Sequence, residues 1–154
     1  MHPKKRKPMK VYEPTRELVL LLLKTRMSFR QAVQRILKKN NIDMTFEMLQ
    51  IISRLWDEQG ISQQILAEKT AKDKACLTNL LGNLEKKGWI IRQENPDDRR
   101  NRLVYLTSEG KDISAKVRPL VYDTYTQAGA IMGVDEINES IQKLKTLDEI
   151  FSQL

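Results

Sequence analysis

The sequence of 154 residues holds one cysteine and one histidine. A single Cys closes no intrachain disulfide and fits a reducing compartment, so the chain reads as cytoplasmic. One Cys and one His, the latter near the start at His2, cannot assemble the usual zinc sites, and no metal is expected. A Gly-rich phosphate loop and a nucleophile elbow are also missing, and no cofactor is expected. The pair Asp97-Asp98 sits beside arginines, which lower a carboxylate pKa and suit neither a general acid nor a neutral-pH base. The chain therefore reads as a non-enzyme. Its longest apolar run, Leu18 to Leu23, is too short to span a bilayer, and no apolar segment follows MHPKKRKP closely enough for a signal peptide.

What the chain has is positive charge. A net charge of +7 with pI near 9.5 suits a polyanionic partner without identifying it. The basic excess is concentrated in residues 1–45, where twelve Lys/Arg face three Asp/Glu, and in residues 61–107, where nine face six. Residues 108–154 are mildly acidic. A chain of this length suggests one compact unit with a real core.

Residues 1–13 read as a basic flexible arm. Pro14 suits the first turn of a helix that runs to about Asn40. Its apolar positions, among them Leu18, Val19, Leu22, Met27, Phe29, Val33, Ile36 and Leu37, cover more than one face, so it needs more than one neighbour. Asn40-Asn41 marks a turn. Asp43 or Thr45 then caps a helix with a core stripe of Leu49, Ile52, Leu55 and Trp56, ending at Gly60.

Ser62 is the N-cap of a short helix that turns Leu66 and Ala67 inward. After a break at AKD, Asp73 caps a second helix whose Leu77, Leu80, Leu81 and Leu84 form a buried stripe and whose C′ residue is Gly88. Two short helices joined by a tight turn make a helix-turn-helix, whose second helix enters the major groove. The face opposite the leucines carries Lys74, Ala75, Thr78, Asn79, Gly82 and Asn83. Asn hydrogen-bonds adenine in bidentate fashion, Thr touches a thymine methyl or a phosphate, and Ala75 and Gly82 permit close approach. An ordinary solvated helix face is the competing reading.

Trp89-Ile90-Ile91 and Leu103-Val104-Tyr105-Leu106 read as two strands around NPDDRRNR, a hairpin with arginines at its tip. Arg99, Arg100 and Arg102 suit a minor groove, where the negative potential is enhanced, and Asp98 can orient a neighbouring arginine. Further on, Ser108 to about Met132 reads as a long helix with Ile113, Val117, Leu120, Val121 and Tyr125 on one side. Pro119 should kink or break it. Asp135 is expected to cap a last amphipathic helix carrying Ile137, Ile141, Leu144, Leu147, Ile150 and Phe151. No internal repeat and no low-complexity linker appears.

Three ordered fragments carry a resemblance: LEKKGWI from Leu84, DRR from Asp98, and VYLTSEG from Val104. Together they resemble the LExxG, DxR and LTxxG landmarks of the MarR family of bacterial transcriptional regulators, sharply over residues 45–110. The resemblance implies a mainly α fold with a small β-hairpin wing: a winged helix-turn-helix over 45–107, an N-terminal dimerisation helix over 14–44 and C-terminal dimerisation helices over 108–154. By the same implication Asp98 supports Arg100 in the minor groove, while Lys74, Ala75, Thr78 and Asn79 face the major groove. It further implies that a second subunit covers Leu18 to Leu23, while the stripe of the last helix is expected to pack on the first helix; Leu18, Leu22, Ile141, Leu144 and Ile150 are the candidate dimer-interface residues. A small aromatic or phenolic ligand is implied between the dimerisation helices and the reading unit, with Phe29, Met48, Trp56 and Tyr122 as candidate lining, although such residues are also ordinary core. Cys76 falls in the first turn of the reading helix, where the helix dipole favours a thiolate. A buried inert thiol is the preferred reading, since oxidant-sensing relatives carry their cysteine nearer the first helix.

The expected partners are thus double-stranded DNA, a second copy of the chain and that ligand, with no membrane. The expected function is a repressor that binds a palindromic operator. The rival expectation is a sequence-independent architectural DNA-binding protein.

Overall fold

The computed structural model describes residues 11–70 and 72–154, so the basic arm expected over residues 1–13 lies almost wholly outside the described residues. The chain divides into two compact units, with the boundary after Phe46.

In the first unit, helix α1 spans Tyr12–Lys39 and begins two residues before Pro14, which occupies its first turn, where no helical amide partner is lost. Its end follows from Asn41, whose φ of 55° is left-handed. Ile42 N–H reaches back to Leu37 O at 3.0 Å and Asn41 N–H to Lys38 O at 3.1 Å, closing the last turn. Gln34 ties the following segment back onto the helix. Its amide nitrogen donates to Met44 O at 3.1 Å, and its carbonyl oxygen accepts from Phe46 N at 3.0 Å. Phe29 meets Phe46 edge to face, with centroids 5.8 Å apart. Val33, Leu37, Met44 and Phe46 are buried, while Leu18, Leu20, Leu21, Leu23 and Met27 are exposed.

The second unit carries helix α2 (Phe46–Asp57, its first residue on the boundary), α3 (Gln63–Thr70), α4 (Lys74–Lys86), α5 (Ser108–Met132) and α6 (Val134–Ser152). Its core is aliphatic: Leu49, Ile51, Ile52 and Leu55 of α2, Leu66 of α3, and Leu77, Leu81 and Leu84 of α4 are buried. Burying such a side chain contributes roughly 1.5–3 kcal/mol. Leu80, expected in that stripe, is only half-buried, and so is Trp56.

Three antiparallel strands, β1 (Ile61–Ser62), β2 (Ile90–Glu94) and β3 (Arg102–Leu106), lie in the order β1-β3-β2. Ile61 opposes Val104, and Ile90 opposes Leu106. The sequence predicts only the hairpin; β1 escapes notice because a two-residue strand has no alternation to read.

Two expectations for the C-terminal helices need correction. Helix α5 continues through Pro119 without a break, and its buried residues are Gly110, Ser114 and Val117, not Tyr125, which is exposed. A proline removes one amide from a 25-residue helix, and the remaining ladder holds the element. Asp135 does not cap α6. Gly133, with φ 89°, takes the cap position, and Asp135 sits in the first turn, where its charge still opposes the helix dipole favourably. Helix α6 has no buried residue, and Ile141, Leu144, Ile150 and Phe151 are exposed. No described helix is long and apolar enough to cross a membrane.

Candidate nucleic-acid interface

The reading unit is built by caps. Ser62 Oγ accepts from Ile65 N at 3.2 Å and opens α3. Lys72 N–H bonds Ala67 O at 3.1 Å across the turn. Asp73, extended at ψ 161°, accepts Cys76 N at 2.7 Å and opens α4. Such caps are worth ~1 kcal/mol each. With Leu77, Leu81 and Leu84 buried, helical periodicity turns Lys74, Ala75, Thr78, Asn79 and Asn83 outward, and all five are exposed. The Thr78 hydroxyl donates to Lys74 O at 2.8 Å, which leaves its oxygen lone pairs outward as acceptors. Cys76 is exposed, contrary to the buried thiol expected, because one residue before Leu77 is about 100° around the helix from it.

Gly88 closes α4 at φ 72°, with Trp89 N bonded to Leu84 O at 3.0 Å and Gly88 N to Glu85 O at 2.8 Å. Lys87 lies over the Trp89 ring, 5.0 Å from its centroid. The Glu85 carboxylate accepts from the Arg92 guanidinium on β2, joining α4 to the hairpin. That hydrogen bond holds the Glu85 carboxyl below its usual range and raises Arg92. Arg92 Nε is buried with no hydrogen-bond partner among the described residues.

The wing tip is held by its own backbone. Asn95 Oδ1 accepts Asp97 N at 3.0 Å, and Asp98 Oδ1 accepts Arg100 N at 3.0 Å. Asp98 therefore meets Arg100, which the resemblance implied it supports, at the main chain. Arg99, Arg100 and Arg102 are exposed.

Between α3, the start of α4 and the wing lies a cleft of about 710 Å³. Six cations line it, Lys72, Lys74, Arg92, Arg99, Arg100 and Arg102, against two acids, Glu68 and Asp98. Sequence reading missed Lys72, Arg92 and the lining glutamines Gln63 and Gln64, since they sit on a turn, a strand and the shorter helix, and only tertiary packing aligns them.

The candidate ligand residues fall in both units. Phe29 is in the first unit against Phe46, Met48 is buried, and Tyr122 is exposed. Trp56 alone borders a second cleft, about 450 Å³, with Gln59, Lys111, Ser114, Arg118 and Pro119. There the Arg118 guanidinium stacks 4.2 Å from the Trp56 ring centroid. Of the candidate contacts between subunits, Leu18, Ile141, Leu144 and Ile150 are exposed and Leu22 is half-buried.

The MarR family model matches residues 45–101, which include both helices of the reading unit and most of the wing. The transcriptional regulator HosA of Escherichia coli O111:H- is 35% identical over 78 residues, 51% of this chain and 58% of its own length. This chain thus spans little more than half the length of that relative. SarZ of Staphylococcus haemolyticus, an HTH-type transcriptional regulator, is 30% identical over 104 residues, 68% of this chain and 69% of its own. Among solved structures, a variant of Escherichia coli MarR complexed with operator DNA superimposes with a TM-score of 0.77 at 24% identity, covering 90% of this chain and 99% of that one. That likeness bears on the fold, a winged helix-turn-helix. From the family match, the SarZ relationship and this architecture, the chain belongs to the MarR family.

Proposed function

We propose that this chain is a sequence-specific, cytoplasmic DNA-binding transcriptional regulator, a repressor that binds a palindromic operator as a homodimer. The observation that carries the reading is one cationic cleft: Lys74, at the start of the exposed α4 face, lines it together with the wing arginines Arg99, Arg100 and Arg102. Helix and wing supply complementary readout. Asn79, Asn83 and Thr78 offer donors and acceptors to base edges, and Arg99, Arg100 and Arg102 offer charge to a narrow minor groove and to phosphates. In a homodimer the two α4 helices would lie about one DNA turn apart, roughly 34 Å. The named functions of HosA and SarZ and the operator complex of MarR support this reading.

The reading includes relief by a small aromatic or phenolic ligand. The cleft beside Trp56 supports it, since it combines an aromatic wall with the cations Lys111 and Arg118. Such a ligand acts only by binding one arrangement of the reading units better than the other.

The test is fluorescence anisotropy on duplex DNA from upstream of the coding region against a scrambled duplex, at several salt concentrations. A preference of about a thousandfold is expected, with a salt slope growing by about 0.9 per phosphate contact. Equal binding to both, and to duplexes selected from a random library, would identify a sequence-independent architectural protein instead.

A further inference from the structure

The residues Gly88, Thr107 and Gly110, separated in sequence, meet at a joint between α4 and α5. Thr107 N–H bonds Trp89 O at 3.0 Å. The Thr107 hydroxyl donates to Gly88 O at 2.6 Å and accepts Gly110 N at 3.0 Å. One hydroxyl therefore bridges the C-terminal end of the recognition helix and the first turn of α5. The bridge turns on a single χ1, which β-branching stiffens. Gly110 permits the contact: a Cβ there would lie 1.9 Å from Trp89 O, so the α5 backbone rests on the backbone leading into β2. Gly88 is itself locked to α4 through the bonds from its own N–H and from Trp89 N.

We infer that Thr107 is a positioning residue for DNA recognition, fixing the angle between α4 and α5. The consequence for DNA rests on the function proposed above; the geometry does not. Helix α5 has 25 residues, about 37 Å at 1.5 Å per residue, so a 5° change at the joint moves its far end by about 3 Å. If α5 belongs to the dimer contact, a loose joint lets the recognition helices wander relative to two half-sites whose spacing the DNA fixes. Affinity for any single stretch of phosphates is untouched.

The experiment compares Thr107→Val, which removes the hydroxyl at nearly constant shape, Thr107→Ser, which keeps it, and Gly110→Ala, which pushes the helix away. Each is made in full-length Cys76→Ser protein carrying spin labels at Lys86→Cys on α4 and Lys116→Cys on α5, diluted with unlabelled chains. Pulsed-EPR distance distributions should at least double in width for Thr107→Val and Gly110→Ala and stay near wild type for Thr107→Ser. Preference for the best duplex recovered from a random library over its scrambled control should fall about tenfold in Thr107→Val and return in Thr107→Ser, with affinity for the scrambled control unchanged. A folded Thr107→Val with wild-type width and preference overturns the inference. Should Thr107→Val fail to fold, a wild-type width in folded Gly110→Ala overturns it equally. Lack of any duplex preference in the wild type would overturn the proposed function, while the distance widths would still decide the joint.

Discussion

Gly82 sits inside α4, where glycine weakens a helix by about 1 kcal/mol relative to alanine, and a methyl group built there meets nothing within 4 Å. The fold gives no reason for it, whereas close approach of a duplex does. Gly82→Ala should therefore raise the melting temperature by a few degrees, read by calorimetry, and weaken duplex binding about tenfold; unchanged binding would return Gly82 to an ordinary surface position. Asn79→Ala should relax preference among sequences, while Arg100→Ala should weaken binding to all of them, as parallel titrations would reveal. Glu85 brings pH dependence. Its carboxyl is held below the usual range in the folded chain, so the Arg92 pairing stabilises fully above that range and is lost as pH falls through the lowered value. Urea titrations should find Glu85→Gln less stable by about 1 kcal/mol at pH 7, a partly screened pair, with the gap closing in acid. Individual residues were legible wherever a local rule applied: Ser62 and Asp73 as caps, Leu77, Leu81 and Leu84 as a stripe, Gly88 as a left-handed terminator. Arg92 and Lys72 were not, because what brings them to the cleft is contact between elements.

At the scale of elements, periodicity and caps announced the described helices but described their surroundings poorly. A stripe in α5 says that apolar residues share a side, not that the same chain covers it, and Tyr125 is exposed accordingly. Strand β1 is defined by its partners Val104 and Leu103 alone, so no reading of Ile61-Ser62 could find it. Pro119 was overrated as a breaker, since a break requires more than one lost amide when the turns on both sides are intact. Replacing it tests the point: Pro119→Ala restores the amide and should stabilise the chain by roughly 1–3 kcal/mol in denaturant unfolding, whereas no gain would mean the local backbone has already adapted to the ring.

For the whole molecule, the dominant fact is apolar surface that one chain leaves in water. Leu18, Leu20, Leu21 and Leu23 on α1 and Ile141, Leu144, Ile150 and Phe151 on α6 are each between 42 and 56% exposed, more than isolated surface hydrophobes explain. A second copy of the chain is the cover proposed here. Leu22→Asp should then sediment as a monomer and lose duplex binding with it, while an unchanged dimer would remove α1 from the contact. The run Leu18 to Leu23 disclosed the α1 face in the sequence, while the α6 stripe was legible as an apolar side without its cover.

On the function proposed above, the wing tip would bear on search kinetics. Since Asp98 engages the main chain of Arg100, neither Arg99 nor Arg100 is held in an ion pair among the described residues. Their guanidinium groups meet a duplex without first exchanging one anion for another. Capture is therefore governed by diffusion and the long-range field, and slows as salt screens it. On that proposal discrimination would fall to residence time: such a chain would land readily on any sequence, slide, and dwell only where α4 finds matching base edges.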